Sequence, residues 1–138
     1  MMMTIQTTEH FIVVKDHDVV LFRNKVKDAA VKISMGILNQ TKLITAASEL
    51  ARNLLKYGGG GNVLIETVTL GRDLGIRLVF IDKGPGISDI DLAMKDGYST
   101  GKSLGLGLPG TKRLVNIFDI KSQVGQGTTV TIIKWKNG

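Results

Sequence analysis

The spacing of apolar residues changes several times along this chain, and each change marks an element. Residues 11–15 (FIVVK) form a β-branched, apolar run that reads as a strand. Phe22, Val26, Ala29 and Ile33 then recur every three or four positions, the period of a helix, with Asp18 placed to cap its start and Gly36 to end it. A second helical pattern starts at Asn39 or Thr41 and runs to Tyr57, where four consecutive glycines, Gly58 to Gly61, stop it. Residues 62–70 and 76–81 alternate and are rich in β-branched side chains, and the turn residues 71–75 between them predict a hairpin. A short helix is expected after Ser88, then a glycine-rich loop over 97–107, then a helix over 108–118 with Leu114, Val115 and Phe118 on one face. A last hairpin follows, with strands 120–124 and 128–135 turning at Gly125-Gln126-Gly127.

The resulting order is β-α-α-β-β-α-α-β-β. Two hairpins joined through helices imply an α+β fold, a two-layer sandwich with a mostly antiparallel sheet and helices on one face. The 138 residues fit one domain, spanning 1–138, and neither repeats nor linkers divide them.

Composition removes several classes. There is no cysteine, so disulfides and thiolate metal sites are excluded, and His10 and His17 alone cannot hold a metal. The net charge of +6 divides evenly, with eight basic and five acidic residues up to Tyr57 and ten and seven beyond it. Aromatics are only 5% and the basic residues are scattered, so the basic, aromatic-studded stripe of a nucleic-acid binder is missing. Mild positive charge suits an anionic ligand or an acidic partner instead. No apolar run is long enough to span a membrane and residues 1–9 lack the pattern of a signal peptide, so the expected compartment is the cytoplasm.

Two glycine clusters mimic phosphate-binding motifs and fail on context. Gly101-Lys102-Ser103 resembles the end of a P-loop, but the first glycine of that motif would fall at Asp96 and no buried strand leads in. Gly105-Leu106-Gly107-Leu108-Pro109-Gly110 matches G-x-G-x-x-G without a preceding strand or a βαβ unit. Both keep the underlying physics: glycines let backbone N–H groups approach phosphate oxygens, and a following helix start adds positive dipole.

Three further features carry chemistry. On the second helix, Glu49 and Asn53 lie four apart, opposite the apolar arc of Leu43, Leu50 and Leu54 and on the same side as Thr45 and Lys56. A carboxylate there can accept a proton, and an amide oxygen beside it can ligate Mg²⁺. Taken alone, this is also how the solvated face of an amphipathic helix looks. Asp82-Lys83-Gly84-Pro85-Gly86 follows the most apolar strand; the carboxylate can accept from an exocyclic amine, and Gly84 and Gly86 let the chain lie close to a flat ring. Gly125-Gln126-Gly127-Thr128 by itself is a hairpin turn.

In order along the chain these give Glu-x-x-x-Asn, Asp-x-Gly-x-Gly, Gly-x-Gly and Gly-x-Gly-Thr. That set resembles the Bergerat-fold (GHKL) ATPases, which include gyrase, Hsp90, histidine kinases and MutL. Gyrase, Hsp90 and MutL need far longer chains, and neither histidine sits in a substrate-histidine helix pair. The segments SELARNLLKY (48–57), DKGPGI (82–87), DGYSTGKSLGLGLPGTKRL (96–114) and IIKW (132–135) resemble the RsbT-like switch serine/threonine kinases of bacterial stress signalling, relatives of the anti-sigma-factor kinases. Lys102 departs from that pattern, standing where small residues are expected.

The resemblance implies roles. Glu49 is the base toward an acceptor hydroxyl, and Asn53 holds Mg²⁺ against the phosphates of ATP. Asp82 binds adenine with Gly84, Gly86 and Thr128 nearby, and Gly105 and Gly107 give backbone donors to the phosphates. Lys102 is placed to add charge at the γ-phosphate. It further implies a STAS-domain substrate protein and a downstream phosphatase that the freed kinase activates. The rival within the same fold is an ATP-gated module that sequesters a sigma factor.

Overall fold

The computed structural model describes residues 2–87, 94 and 107–138. Five strands form one sheet in the order β1-β2-β3-β5-β4, with every neighbouring pair antiparallel. They are β1 (Met3–Val13), β2 (Gly61–Leu70), β3 (Asp73–Ile81), β4 (Ile117–Gln123) and β5 (Gly127–Trp135). Three helices occur among the described residues: α1 (Asp16–Lys32), α2 (Ile37–Gly58) and α3 (Gly107–Leu114). The α+β sandwich expected from the sequence is the fold observed. The short helix expected after Ser88 lies outside the described residues.

Alternation along the strands decides which face is covered. Val63 and Ile65, Ile76, Leu78 and Phe80, and Val130 and Ile132 all point to one side and join Phe22, Val26, Leu43, Leu50 and Leu54 of the helices in a single buried cluster. Phe22 meets the Phe80 ring edge-on, with centroids 5.6 Å apart, and so ties α1 to the middle strand. On the opposite side of the sheet the pattern is mixed, and there Arg77 pairs with the buried Glu66 at 2.8 Å.

Several boundaries differ from the sequence expectations; β3 starts at Asp73 rather than at 76, and β4 spans Ile117–Gln123 rather than 120–124. β1 begins at Met3 rather than at residue 11, because its full length pairs with β2, from Met3↔Leu70 to Val13↔Gly61. Its first half is an exposed edge rich in Thr, which leaves no apolar signal. Asp18 does not occupy the cap position of α1; Lys15 does. The Asp18 carboxylate reaches back from the first turn to accept the N–H groups of Val14 at 3.0 Å and Lys15 at 3.2 Å. Gly36 does not end α1. The chain turns at Ser34, in the left-handed region with φ 59°, while Ser34 donates to the Val31 carbonyl and Met35 to that of Ala30. Gly36 instead starts α2. Finally, α3 stops at Leu114 and Phe118 belongs to β4.

Candidate functional site

α2 runs across the sheet and carries two of the candidate residues on successive turns. Glu49 is 2% exposed. The polar side of this helix is thus no ordinary wetted face: a carboxylate is buried there, next to half-buried Thr45 and Asn53 and exposed Lys56. Glu49 Oε1 accepts from Arg52 Nη1 at 3.3 Å. Its Oε2 is buried and has no hydrogen-bond partner among the described residues. A bare buried carboxylate oxygen is costly. That cost points to a group that arrives from outside. The Asn53 side chain, one turn further on, makes no hydrogen bond among the described residues and keeps its amide oxygen available.

The C-terminus of α2 runs into the Asp82 loop. A β-carbon on Gly58 would lie 2.6 Å from both Cβ and Cγ of Asp82, so the helix can meet this loop only with glycine at its last position. Gly84 closes the same contact from the loop side, where a β-carbon would sit 2.8 Å from the Gly58 Cα. With about 1.5 Å of rise per residue, Glu49 stands roughly 13 Å along the axis from Gly58. One rigid helix therefore fixes the separation between the buried carboxylate at its middle and Asp82 at its end.

Asp82 is tied down on its other side by β5. Its backbone N–H donates to the Thr128 carbonyl at 3.0 Å, and its Oδ1 accepts the N–H of Gly84 at 2.8 Å and of Thr128 at 3.3 Å. The β4–β5 turn packs close: a β-carbon on Gly127, where φ is 95°, would collide with the Asp82 carbonyl. Gly86, with φ 78°, lies against the Gln123 carbonyl with no room for a side chain. Ser122 organises this junction. Its hydroxyl accepts the Ile87 N–H at 2.7 Å, donates to the Gly127 carbonyl at 3.1 Å and lies 2.8 Å from the Thr128 hydroxyl.

The candidate residues therefore form two groups. Asp82, Gly84, Gly86 and Thr128 meet directly, while Glu49 and Asn53 join them through α2. Gly107 opens α3, where the buried Thr111 hydroxyl donates to its carbonyl at 2.9 Å, and α3 packs against α2. Lys102 and Gly105 lie outside the described residues. No group of three or more His, Asp or Glu side chains that could hold a metal occurs among the described residues. The donor set fits a metal carried in by phosphates, which needs only one or two protein oxygens, such as that of Asn53. Two participants escaped the sequence reading. Gly58 looked like a helix stop only. Ser122 belongs to no motif; the turn lies at 124–126, not at the expected 125–127, and so pairs Ser122 with Thr128.

Comparison with known proteins bears on this arrangement. The profile of the histidine kinase-, DNA gyrase B- and HSP90-like ATPases matches residues 38–137, which takes in α2, the Asp82 loop and the β4–β5 turn. The chain belongs to this family. Serine/threonine-protein kinase RsbT of Bacillus subtilis (strain 168) is 41% identical over 123 residues, covering 89% of this chain and 92% of that protein. The protein is accordingly an RsbT-like serine/threonine kinase of the family, using ATP as phosphoryl donor. Among solved structures, the RsbU and RsbW domains of Rv1364c from Mycobacterium tuberculosis superpose with a TM-score of 0.65 at 18% identity, over 94% of this chain and 32% of that longer one. That likeness concerns the fold. No helix among the described residues is long and apolar enough to cross a membrane.

Proposed function

We propose that this RsbT-like kinase, acting as a single cytoplasmic domain over residues 1–138, transfers the γ-phosphoryl group of Mg-ATP to a Ser or Thr of a STAS-domain partner. Released from that partner, it then activates a downstream phosphatase. The observation that carries the catalytic part is Glu49: a buried carboxylate with one oxygen held by Arg52 and the other without a partner among the described residues.

In this reading Asp82 accepts the exocyclic amine of adenine, and Thr128 and Gly86 frame the ring. Gly105, Gly107 and the start of α3 receive the phosphates through backbone N–H groups and helix dipole. Lys102 adds charge at the γ-phosphate. Asn53 gives its amide oxygen to Mg²⁺, which supplies charge neutralisation at the phosphates. Glu49 Oε2 takes the proton of the acceptor hydroxyl while the hydroxyl oxygen of the acceptor bonds to the γ-phosphorus. The bond from phosphorus to the β–γ bridging oxygen breaks and ADP leaves. Such a transfer asks mainly for position and electrostatics, so a small inventory of groups is enough.

The rival, an ATP-gated module that only sequesters a sigma factor, has no use for a buried unpaired base. Incubation with γ-labelled ATP and a STAS-domain protein separates the two. The proposal expects label on Ser or Thr of the partner. Nucleotide-dependent binding without transfer supports the sequestering module instead.

A further inference from the structure

We infer that Arg52 is a positioning residue for phosphoryl transfer, holding one oxygen of Glu49 so that only the other can meet the acceptor hydroxyl. The inference rests on the reading of Glu49 as the base and adds a residue to it.

The geometry is asymmetric in an informative way. Arg52 stands three residues after Glu49, so the two side chains share a helix face. Its side chain is 45% exposed, whereas that of Glu49 is 3% exposed. The guanidinium thus reaches inward from the surface to a carboxylate that solvent does not reach. An arginine fork can clasp both oxygens of a carboxylate. Here a single contact is made, Nη1 to Oε1 at 3.3 Å, and Oε2 is left buried with no partner among the described residues.

Two consequences follow. A free carboxylate would turn about its Cγ–Cδ bond and present either oxygen, whereas a carboxylate pinned at Oε1 presents Oε2 alone. The positive charge beside it also offsets part of the cost of keeping that carboxylate buried. Arg52 touches neither nucleotide nor acceptor in this account. It acts through Glu49. A purely structural surface ion pair would contribute little to stability and nothing to turnover.

A double-mutant cycle with γ-labelled ATP and a STAS-domain acceptor tests this. Arg52→Ala, Arg52→Lys and Glu49→Gln are made singly, and Arg52→Ala is combined with Glu49→Gln. The expected result is a fall in kcat for Arg52→Ala of about 10–100-fold, the scale of misplaced catalytic groups. KM for ATP, the affinity for ADP and KM for the acceptor stay near wild type. Arg52→Lys recovers part of the loss. In the Glu49→Gln background Arg52→Ala costs nothing further, because there is no base left to position.

An unchanged kcat in Arg52→Ala overturns the inference. So does an equal loss in both backgrounds, which would make Arg52 act independently of Glu49. A rise in acceptor KM at constant kcat would make Arg52 a docking contact and overturns it too. Full activity in Glu49→Gln removes the base itself, and the proposed mechanism falls with it. Impaired Glu49→Gln with normal Arg52→Ala removes only the present inference.

Discussion

Gly58 and Asp82 are in such close contact that a single methyl group between them would sit 2.6 Å from the Asp82 Cβ and Cγ. The end of α2 thereby sets the position of the carboxylate assigned to adenine. Gly58→Ala is expected to keep or raise helicity, since alanine is the better helix former. It is also expected to displace Asp82. Overpacking of this kind costs about 1–3 kcal/mol, so ADP affinity should drop roughly 5–100-fold. Calorimetry with ADP checks this, beside circular dichroism as the folding control. Wild-type affinity in a folded variant would show that the contact does not position the site.

Asp82→Asn separates charge from shape. An asparagine oxygen can still accept the N–H groups of Gly84 and Thr128 that Oδ1 now holds, so the loop should keep its form. Its amide nitrogen replaces the second carboxylate oxygen and turns an acceptor into a donor. ADP affinity should fall about 10–100-fold, the worth of a hydrogen bond to a charged group. Unaltered ADP binding by calorimetry would remove Asp82 from the adenine site.

Asn53→Asp probes the metal. An oxygen ligand remains but gains charge one turn from Glu49, and like charges at this spacing destabilise a helix by about 0.2–0.5 kcal/mol. The fold should survive and the Mg²⁺ dependence of transfer should shift. A Mg²⁺ titration that superposes on wild type would take the ligand role from Asn53.

Much of this was legible in the sequence, and the gaps have physical causes. Elements with a strong period stood out: α2, both strands of the β2–β3 hairpin, and β5. The four motifs marked the Asp82 loop and the β4–β5 turn, and these meet in the fold. The polar half of β1 was silent because an exposed edge strand needs no apolar alternation. Leu114, Val115 and Phe118 fit a helix face, yet Phe118 belongs to the strand after α3; a short apolar run suits either period. Ser34 ends α1 in a conformation that favours glycine, so Gly36 drew the boundary two residues late. A helical wheel placed Glu49 with the polar residues but says nothing about what packs there. Its burial, and the unpaired oxygen that makes it informative, needed three dimensions.

Lys134 gives a pH test away from the site. It is buried on β5, donates to the Gly138 carbonyl at 2.9 Å, and has its proton affinity lowered by burial and then by nearby Lys42. The folded chain therefore binds this proton less readily than the unfolded one. Between the lowered value and the ordinary 10.5 the unfolded state holds more protons, so this group's contribution to stability rises with pH through that window. Below it the full penalty applies. Lys134→Met should raise Tm at pH 7, by an amount that shrinks as pH approaches 10.5, with ADP binding unchanged. Thermal unfolding at several pH values checks this; a gain that is flat or growing with pH would contradict it.

Single-turnover transfer from γ-labelled ATP by Glu49→Gln asks whether Glu49 acts as the base toward a protein hydroxyl. Glutamine keeps the size of the side chain and removes its basicity. The account predicts near-normal ATP and ADP binding with transfer to the STAS-domain acceptor slowed about 10²–10⁴-fold, nearer the lower figure because electrostatics carries most of this reaction. Transfer at the wild-type rate in a variant that binds ATP normally would contradict it.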